Sequence, residues 1–424
     1  MQVFAPTCGV GHNYFPCINM STLEEYFCRQ LNSILRAPVG VMRHPFLVPG
    51  GLYQDELWDW DSFWVAKGFF AGRELLGPAL NAELLDHAIG SWKNFFEQQV
   101  QNGTVPIMIK SDCPDFFGCT SERGMETNQA KPIFGQFALD VSLAAESYDW
   151  IEPHFDALLR FHARWTSRYQ SPCGLLTWGS DVAIGVDCDP TTYGRPPFSS
   201  ANLLLNCLFH RDLTATAEIA QALGRADDVA RLRSQAAELG AAVQRECWDE
   251  VDAFFYSVDT QCQDHRDKFL PGLKKGMPMT WSTLPTKIKM FTGFLPLWCG
   301  IASDTQARLL VEQHLRSEAE FSASWGVRSL AKNEKMYQPE VDSVNPSNWL
   351  GPIWTVVNYM VHQGLKNYGY HEDARQLAEK TVSLLAADLR QSGTLHECYH
   401  PDTGAPNFNH HFLSWNSLAL AMIG

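Results

Sequence analysis

Apolar residues recur at intervals of three and four through most of this chain. After Asn81 they fall at Leu84, Leu85, Ala88, Ile89, Trp92, Phe95 and Phe96, one face of a helix. A second helix is predicted over residues 62–75, which are rich in large apolar side chains and free of internal proline. The same reading predicts helices over 129–148, 151–169, 199–223, 227–248, 305–315, 352–368, 371–390 and 412–422. Between two of them, Gly224 reads as a C-cap and Asp227 as an N-cap. Strand-like alternation is weak and limited to 251–258, a short hairpin arm. The chain has no βαβ pattern, phosphate loop or dinucleotide fingerprint.

Helical pairs of this kind do not bury their apolar faces alone. A simple solenoid needs internal repeats, which are not apparent. Closure of the pairs into a toroid buries those faces and brings distant loops to one rim. Periodicity does not separate a toroid from another large α-helical array. The expected organisation is one domain over residues 1–424.

The formal net charge of −14 and the lack of a Lys/Arg-rich run disfavour nucleic-acid binding. No run of 18 apolar residues is present to span a membrane. The first residues show no basic stretch followed by an apolar run, so a cytoplasmic location is expected. Twelve cysteines are scattered without a CxxC pair, which favours reduced thiols over a disulfide framework or zinc site. Cys8–Cys17 and Cys113–Cys119 are the local pairs near enough in sequence to bridge.

Fourteen tryptophans alter this picture, because several lie beside carboxylates in loop-like sequence. Trp58-Asp59-Trp60-Asp61-Ser62-Phe63-Trp64 places two acids among three tryptophans, and Trp178-Gly179-Ser180-Asp181 and Leu395-His396-Glu397-Cys398 add two more. Flat aromatic faces suit the C–H faces of a sugar, and carboxylates accept its hydroxyl hydrogens or move protons. Glycoside hydrolysis requires two such groups, one to protonate the leaving oxygen and one to attack or to activate water. Each acid also fits a blander role: a turn or cap for Asp181, Asp59 and Asp61, and a solvent-facing charge for Glu397.

Further polar loops supply candidate sugar contacts. Tyr53, Trp58, Asp59 and Asp61 belong to the first cluster, Gln129 starts a predicted helix, and Trp178 precedes Asp181. Arg195 is a candidate for an anionic substrate or for pairing with Asp187 or Asp189. Those two aspartates would suit calcium, yet the full helix-loop-helix motif is missing. Trp349 and Trp354 lie in and beyond Asn345-Pro346-Ser347-Asn348-Trp349-Leu350-Gly351-Pro352. His396, His411 and Trp415 complete the candidate set. Adjacent His410 and His411 generally point apart, so no metal site is read there, and no cofactor is expected.

These segments resemble glycoside hydrolase family 63, inverting α-glycosidases, and within it the bacterial hydrolases of mannosylglycerate and glucosylglycerate. The resemblance is carried by His44-Pro45-Phe46, Pro49-Gly50-Gly51, the Trp58–Trp64 segment, Asn128-Gln129-Ala130-Lys131-Pro132, Trp178–Asp181, Asn345–Pro352 and Thr394–Glu397. It implies an all-α (α/α)6 toroid with long rim loops. It also implies Asp181 as general acid, Glu397 as general base and Asp61 as a ligand of sugar hydroxyls at the pocket bottom. The acid segment of the related trehalases, Glu-Ser-Gly-Trp-Asp, is not reproduced at Thr177–Asp181. The larger family members carry an N-terminal β-domain, whereas here the Trp-Asp segment arrives by residue 58, as expected of a compact hydrolase.

The leading expectation is therefore exo-acting hydrolysis of a small α-glycoside with inversion, the partners being that glycoside and water. A homo-oligomer is left open. The competing readings are a trehalase-like or oligosaccharide α-glucosidase, a non-catalytic carbohydrate-binding toroid, and an epimerase relying on His396, His400 and His411.

Overall fold

The computed structural model describes residues 18–121, 124, 127–262, 281–340 and 347–423. Among them, six helical segments pack in a closed ring. They are Asp59–Ala71, Phe134–Ala145, Leu203–Ala222, Phe291–Trp298, Thr355–Asn367 and Ser414–Ile423. Each packs on the next, and the last returns to the first. Pro78–Glu97, Ala226–Cys247 and His371–Ser392 pack outside this ring, and Ile18–Gln30 lies against His371–Ser392. The fold is an all-α (α/α) toroid. Its strands are short, forming sheets of two or three among the described residues.

Ring position explains which sequence patterns were easy to read. The inner helix Asp59–Ala71 buries Asp59 through Ala66 without interruption, so it lacks a polar face. The outer Ala226–Cys247 buries only Leu232, Ala236, Leu239, Ala242, Val243 and Cys247, a stripe at helical spacing. Buried apolar residues from Leu23 to Met422 form one continuous cluster.

Ring closure depends on close backbone approach. A Cβ at Gly68 would lie 2.2 Å from Ser417 Oγ, and one at Gly135 would lie 2.1 Å from Thr216 Oγ1. These glycines let the first inner helix meet the last and the second meet the third.

Several expected boundaries shift. The inner helices expected to start at 129, 199 and 352 begin later, at Phe134, Leu203 and Thr355. Proline at position 132 and the side-chain cap of Asn202 on Leu204 N (2.9 Å) account for two of these starts. Gly224, at φ +71°, ends its helix as expected, with Arg225 N bonded to Ala220 O and Gly224 N to Gln221 O. Asp227 is not the N-cap: Arg225 holds that position without a side-chain bond, and Asp227 lies in the first turn. The expected helix over 412–422 is a 3-10 segment, Ser414–Ala419, followed by Leu420–Ile423. Helix Ile18–Gln30 had no counterpart among the expected elements.

Within 251–258, Phe254–Phe255 pairs with Trp248–Asp249, while Val258–Asp259 pairs instead with Ser200–Ala201 and Leu284–Pro285. Cys113 and Cys119 are free thiols, and Cys8 and Cys17 lie outside the described residues. No helix among the described residues is long and apolar enough to cross a membrane.

Candidate active site

The candidate residues gather at the N-terminal ends of the inner helices and in the loops and short strands that precede them. Trp58 pairs with Met108 in a short ladder and then caps the first inner helix from an extended conformation. Asp59 and Asp61 therefore fall in one helical turn and do not share a strand face. Asp59 is fully buried: its carboxylate accepts Trp60 N (2.7 Å), Lys131 N (2.7 Å) and Lys131 Nζ (3.0 Å). All of these bonds are internal, and they anchor Lys131. Lys131 Nζ also lies 5.1 Å from the centre of the Trp60 ring, a cation–π contact.

Asp61 accepts Ser414 Oγ at 2.7 Å. Burial pushes its carboxyl up to about 7, against the Ser414 bond and the Lys131 charge. Glu397 stands on strand His396–Tyr399, where its Oε2 accepts Asn409 Nδ2 at 2.9 Å and its backbone oxygen accepts Trp415 Nε1 at 3.0 Å. Burial raises Glu397 to about 8, and the charges of Asp61 and Asp187 add to the rise. The Tyr53 hydroxyl is likewise pushed up, by burial first and then by Glu397, Asp61, Asp187 and Glu56. Tyr53 thus shares one neighbourhood with Asp61, Asp187 and Glu397, with Glu56 acting on it more weakly.

Asp187 is the acid that completes this set. It follows Gly185, whose φ is +88° and where a Cβ would lie 2.6 Å from the Trp60 ring. Burial among neighbouring atoms raises the Asp187 carboxyl, opposed by a Ser347 hydrogen bond and by Lys131. The residue nevertheless remains open to solvent at the rim. Cys188 holds the opposite loop, with Trp349 N donating to its Sγ at 3.1 Å. Asp181 lies elsewhere on the same loop: its Oδ2 accepts Gly194 N at 2.9 Å, and its charge is not among those acting on Glu397 or Tyr53. Asn128 clamps this stretch through Gly179 N (2.7 Å), Ser180 O and Val182 O.

The aromatic candidates divide. Trp60, Trp349, Trp354 and Trp415 form one continuous cluster, with Trp349 stacked on Trp354 at 3.9 Å and Trp415 edge-on to both Trp60 and Trp354. Trp58 stands partly exposed between Tyr53 and Phe117, its Nε1 donating to Glu56 Oε2 at 2.8 Å. Trp178 is buried edge-on against Trp165, and Trp64 packs among Phe63, Trp298 and Tyr359. Both belong to the core.

Gln129 is fully buried, and neither polar atom of its amide has a hydrogen-bond partner among the described residues. An unpaired buried amide is costly, and a substrate hydroxyl would satisfy it. Arg195 pairs with Asp259, not with Asp187 or Asp189. Asp189 accepts Thr191 N, Thr191 Oγ1 and Asn202 Nδ2, all within the protein. The rings of His396, His410 and His411 lie side by side, His410 being 6.5 Å from His396 and 4.9 Å from His411 between centres, so the adjacent pair does not point apart; each histidine candidate nevertheless has its own partner in the protein. His396 Nδ1 lies 2.9 Å from Asp388 Oδ2, His411 Nδ1 lies 2.8 Å from Thr394 Oγ1, and His400 accepts from the Asp402 and Thr403 N–H groups.

Lys131, Asp187, Ser347, Asn409 and Ser414 were not singled out as sugar-site residues from sequence. Asp187 carried a detectable signal, an acid two residues after a glycine in the aromatic-acid loop. Asn409 and Ser414 carried none, because their roles depend on contacts with Glu397 and Asp61.

Comparison with known proteins places this geometry. Residues 54–415 match the family described as the mannosylglycerate hydrolase MGH1-like glycoside hydrolase domain. Mannosylglycerate hydrolase MGH1 of Selaginella moellendorffii is 27% identical over 213 residues, 50% of this chain and 36% of that protein. A mannosylglycerate hydrolase of Thermus thermophilus is 26% identical over 238 residues, 54% of this chain and 46% of that protein. The matches to these curated relatives thus span less than half of their length. The crystal structure of a GH63 mannosylglycerate hydrolase from Thermus thermophilus in complex with glucose superposes with a TM-score of 0.67 at 20% identity, covering 95% of this chain and 98% of that one. With the toroid, the rim carboxylates and a family match across nearly the whole ring, this chain belongs to the MGH1-like glycoside hydrolase domain family, within the GH63-like glycosidases.

Proposed function

We propose that this protein hydrolyses the terminal α-glycosidic bond of a small glycoside with inversion, with Glu397 as general base and Asp187 as general acid. The observation that carries the reading is the three-carboxylate neighbourhood of Asp61, Asp187 and Glu397 beside one tyrosine, at the rim of a toroid of this family. Burial first, and then repulsion between neighbouring acids, keeps a proton in such a group near neutral pH, so an acid and a base coexist there.

Accessibility supports the division of labour. An exo-acting enzyme seats the terminal sugar in the pocket, and the aglycone leaves toward solvent. Its acid must reach the leaving oxygen near the mouth, whereas the base activates water on the opposite, deeper face. Asp187 is open to solvent, while Glu397 is only 3% exposed. The Asn409 N–H bond favours the ionised form of Glu397, as a base requires. Asp61 and Gln129 serve as ligands of sugar hydroxyls, with Tyr53 and Trp58 beside them.

Mannosylglycerate or glucosylglycerate is the proposed substrate class, supported by the names of the relatives. A panel of α-mannosides and α-glucosides, both glycerate conjugates included, tests it, with product anomers followed by NMR. The expected first product is the β-anomer. An α-anomer appearing before mutarotation rejects inversion, and absence of turnover across the panel rejects the hydrolase reading.

A further inference from the structure

We infer that Asn409 is a positioning residue for Glu397, orienting the carboxylate and coupling it to the turn that carries Tyr53; its role as an aid to a base rests on the hydrolase reading above. Glu397 and Asn409 face each other across the hairpin, between the paired positions His396–His410 and Cys398–Phe408. Asn409 Nδ2 donates to Glu397 Oε2 at 2.9 Å, and Asn409 Oδ1 accepts Leu52 N at 2.8 Å. Both ends of a buried amide are thereby used. One end grips the carboxylate, and the other grips the turn Gly51–Tyr53.

The backbone is adapted to this bridge. Asn409 has φ +46°, a left-handed conformation in which asparagine is among the few non-glycine residues commonly found. Gly51 is the complement: its φ is +59°, and a Cβ there would lie 2.2 Å from Asn409 Oδ1. An amide is the side chain that donates to a carboxylate and accepts from a backbone N–H at once. Aspartate keeps the acceptor and loses the donor, and alanine loses both.

The groups facing Glu397 make that donor consequential. Asp61 comes from the first inner helix, Asp187 from the rim loop and Tyr53 from the turn, and Lys131 acts on the two aspartates. On Glu397's own hairpin, His396 is engaged by Asp388 and His410 is exposed. The donor that lowers the Glu397 equilibrium is Asn409, so its loss lets burial and the neighbouring acids hold the proton to higher pH.

The test compares wild type with Asn409→Asp and Asn409→Ala. Two readouts are used: infrared titration of the Glu397 carboxyl band, assigned by difference from Glu397→Gln, and the pH profile of kcat/KM on an α-glucoside. Thermal unfolding establishes that each variant is folded, and Asn409→Asp, which keeps the Leu52 contact, serves where alanine fails to fold. The expected result is an upward move of both the band and the acidic limb by about one to two pH units, the size of one hydrogen bond to a charged group. KM should change less than kcat. If the band moves in a protein whose wild type hydrolyses no α-glycoside, the positioning stands and the hydrolase reading falls. An unmoved band and limb in folded Asn409→Asp, with only Tm lowered, overturns the positioning role.

Discussion

Ser414 Oγ donates to Asp61 Oδ1 over 2.7 Å, joining residues 353 positions apart in the chain. The contact lies where the last inner segment meets the first, so one hydrogen bond serves both the pocket and ring closure. Ser414→Ala is expected to cost about 1–3 kcal/mol, because the buried Asp61 carboxyl loses its partner. Urea unfolding measures it. An unchanged midpoint would show that Asp61 is satisfied without Ser414.

Removal of the chain from Phe412 onward should be far more damaging. Phe412, Leu413, Trp415, Leu418, Leu420 and Met422 are all buried, and Gly68 seats directly on Ser417. We expect loss of a single cooperative transition, since the remaining inner segments would expose their faces to water. A cooperative urea curve with an unaltered midpoint would contradict both closure and the proposal that the chain folds as one domain.

The acid assignment is decided by comparing two aspartates of one loop. Asp187→Asn should lose roughly 10²–10⁴-fold in rate on unactivated glycosides and be partly rescued by substrates with acidic leaving groups. Asp181→Asn, which alters only the contact with Gly194 N, should retain turnover within a few-fold. Steady-state kinetics on both substrate types gives the answer, and the opposite pattern returns the role to Asp181.

The raised carboxyls make a claim about stability as well as rate. Glu397 has a folded value of about 8 against an ordinary 4.5, so the folded state holds more protons than the unfolded state between those values. Stability from this group is full below about pH 4.5 and declines as pH rises toward 8, because the carboxyl ionises in the unfolded chain while burial keeps it protonated in the fold. Glu397→Gln should flatten that decline and be more stable than wild type near pH 8. Thermal melts across pH 5–9 check the slope, and a wild-type slope of opposite sign in this window rules out protonation of the buried cluster as its cause.

Arg195 separates recognition from structure. Its ion pair with Asp259 joins the rim loop to strand Val258–Asp259. Arg195→Gln should lower kcat/KM on glycerate conjugates and on neutral glycosides by the same factor, with a stability loss of about 1 kcal/mol or less, typical of a partly exposed pair. A selective loss on the glycerate conjugates would restore Arg195 as a carboxylate ligand.

Much of the toroid was readable because outer helices such as Pro78–Glu97 and His371–Ser392 bury one stripe and leave the other faces to water, so their periodicity survives in composition. Inner segments are buried along most of their length, and their starts lie several residues from those the pattern predicts, as at Phe134 and Thr355. The aromatic-acid segments were visible by residue type alone, and so was the chemistry they suggest.

Residue type does not choose among neighbouring acids. Asp59 and Asp61 differ by two positions on one helical turn, yet Lys131 encloses the first and Ser414 meets the second. Asp181 and Asp187 share a loop, and what separates them is Gly185 against Trp60 and Ser347 beside Asp187. Helical patterning and carboxyl chemistry are local properties, legible along the chain. Which carboxyl loses its water, and which other charges it then meets at short range, depends on segments hundreds of residues away that only ring closure brings together.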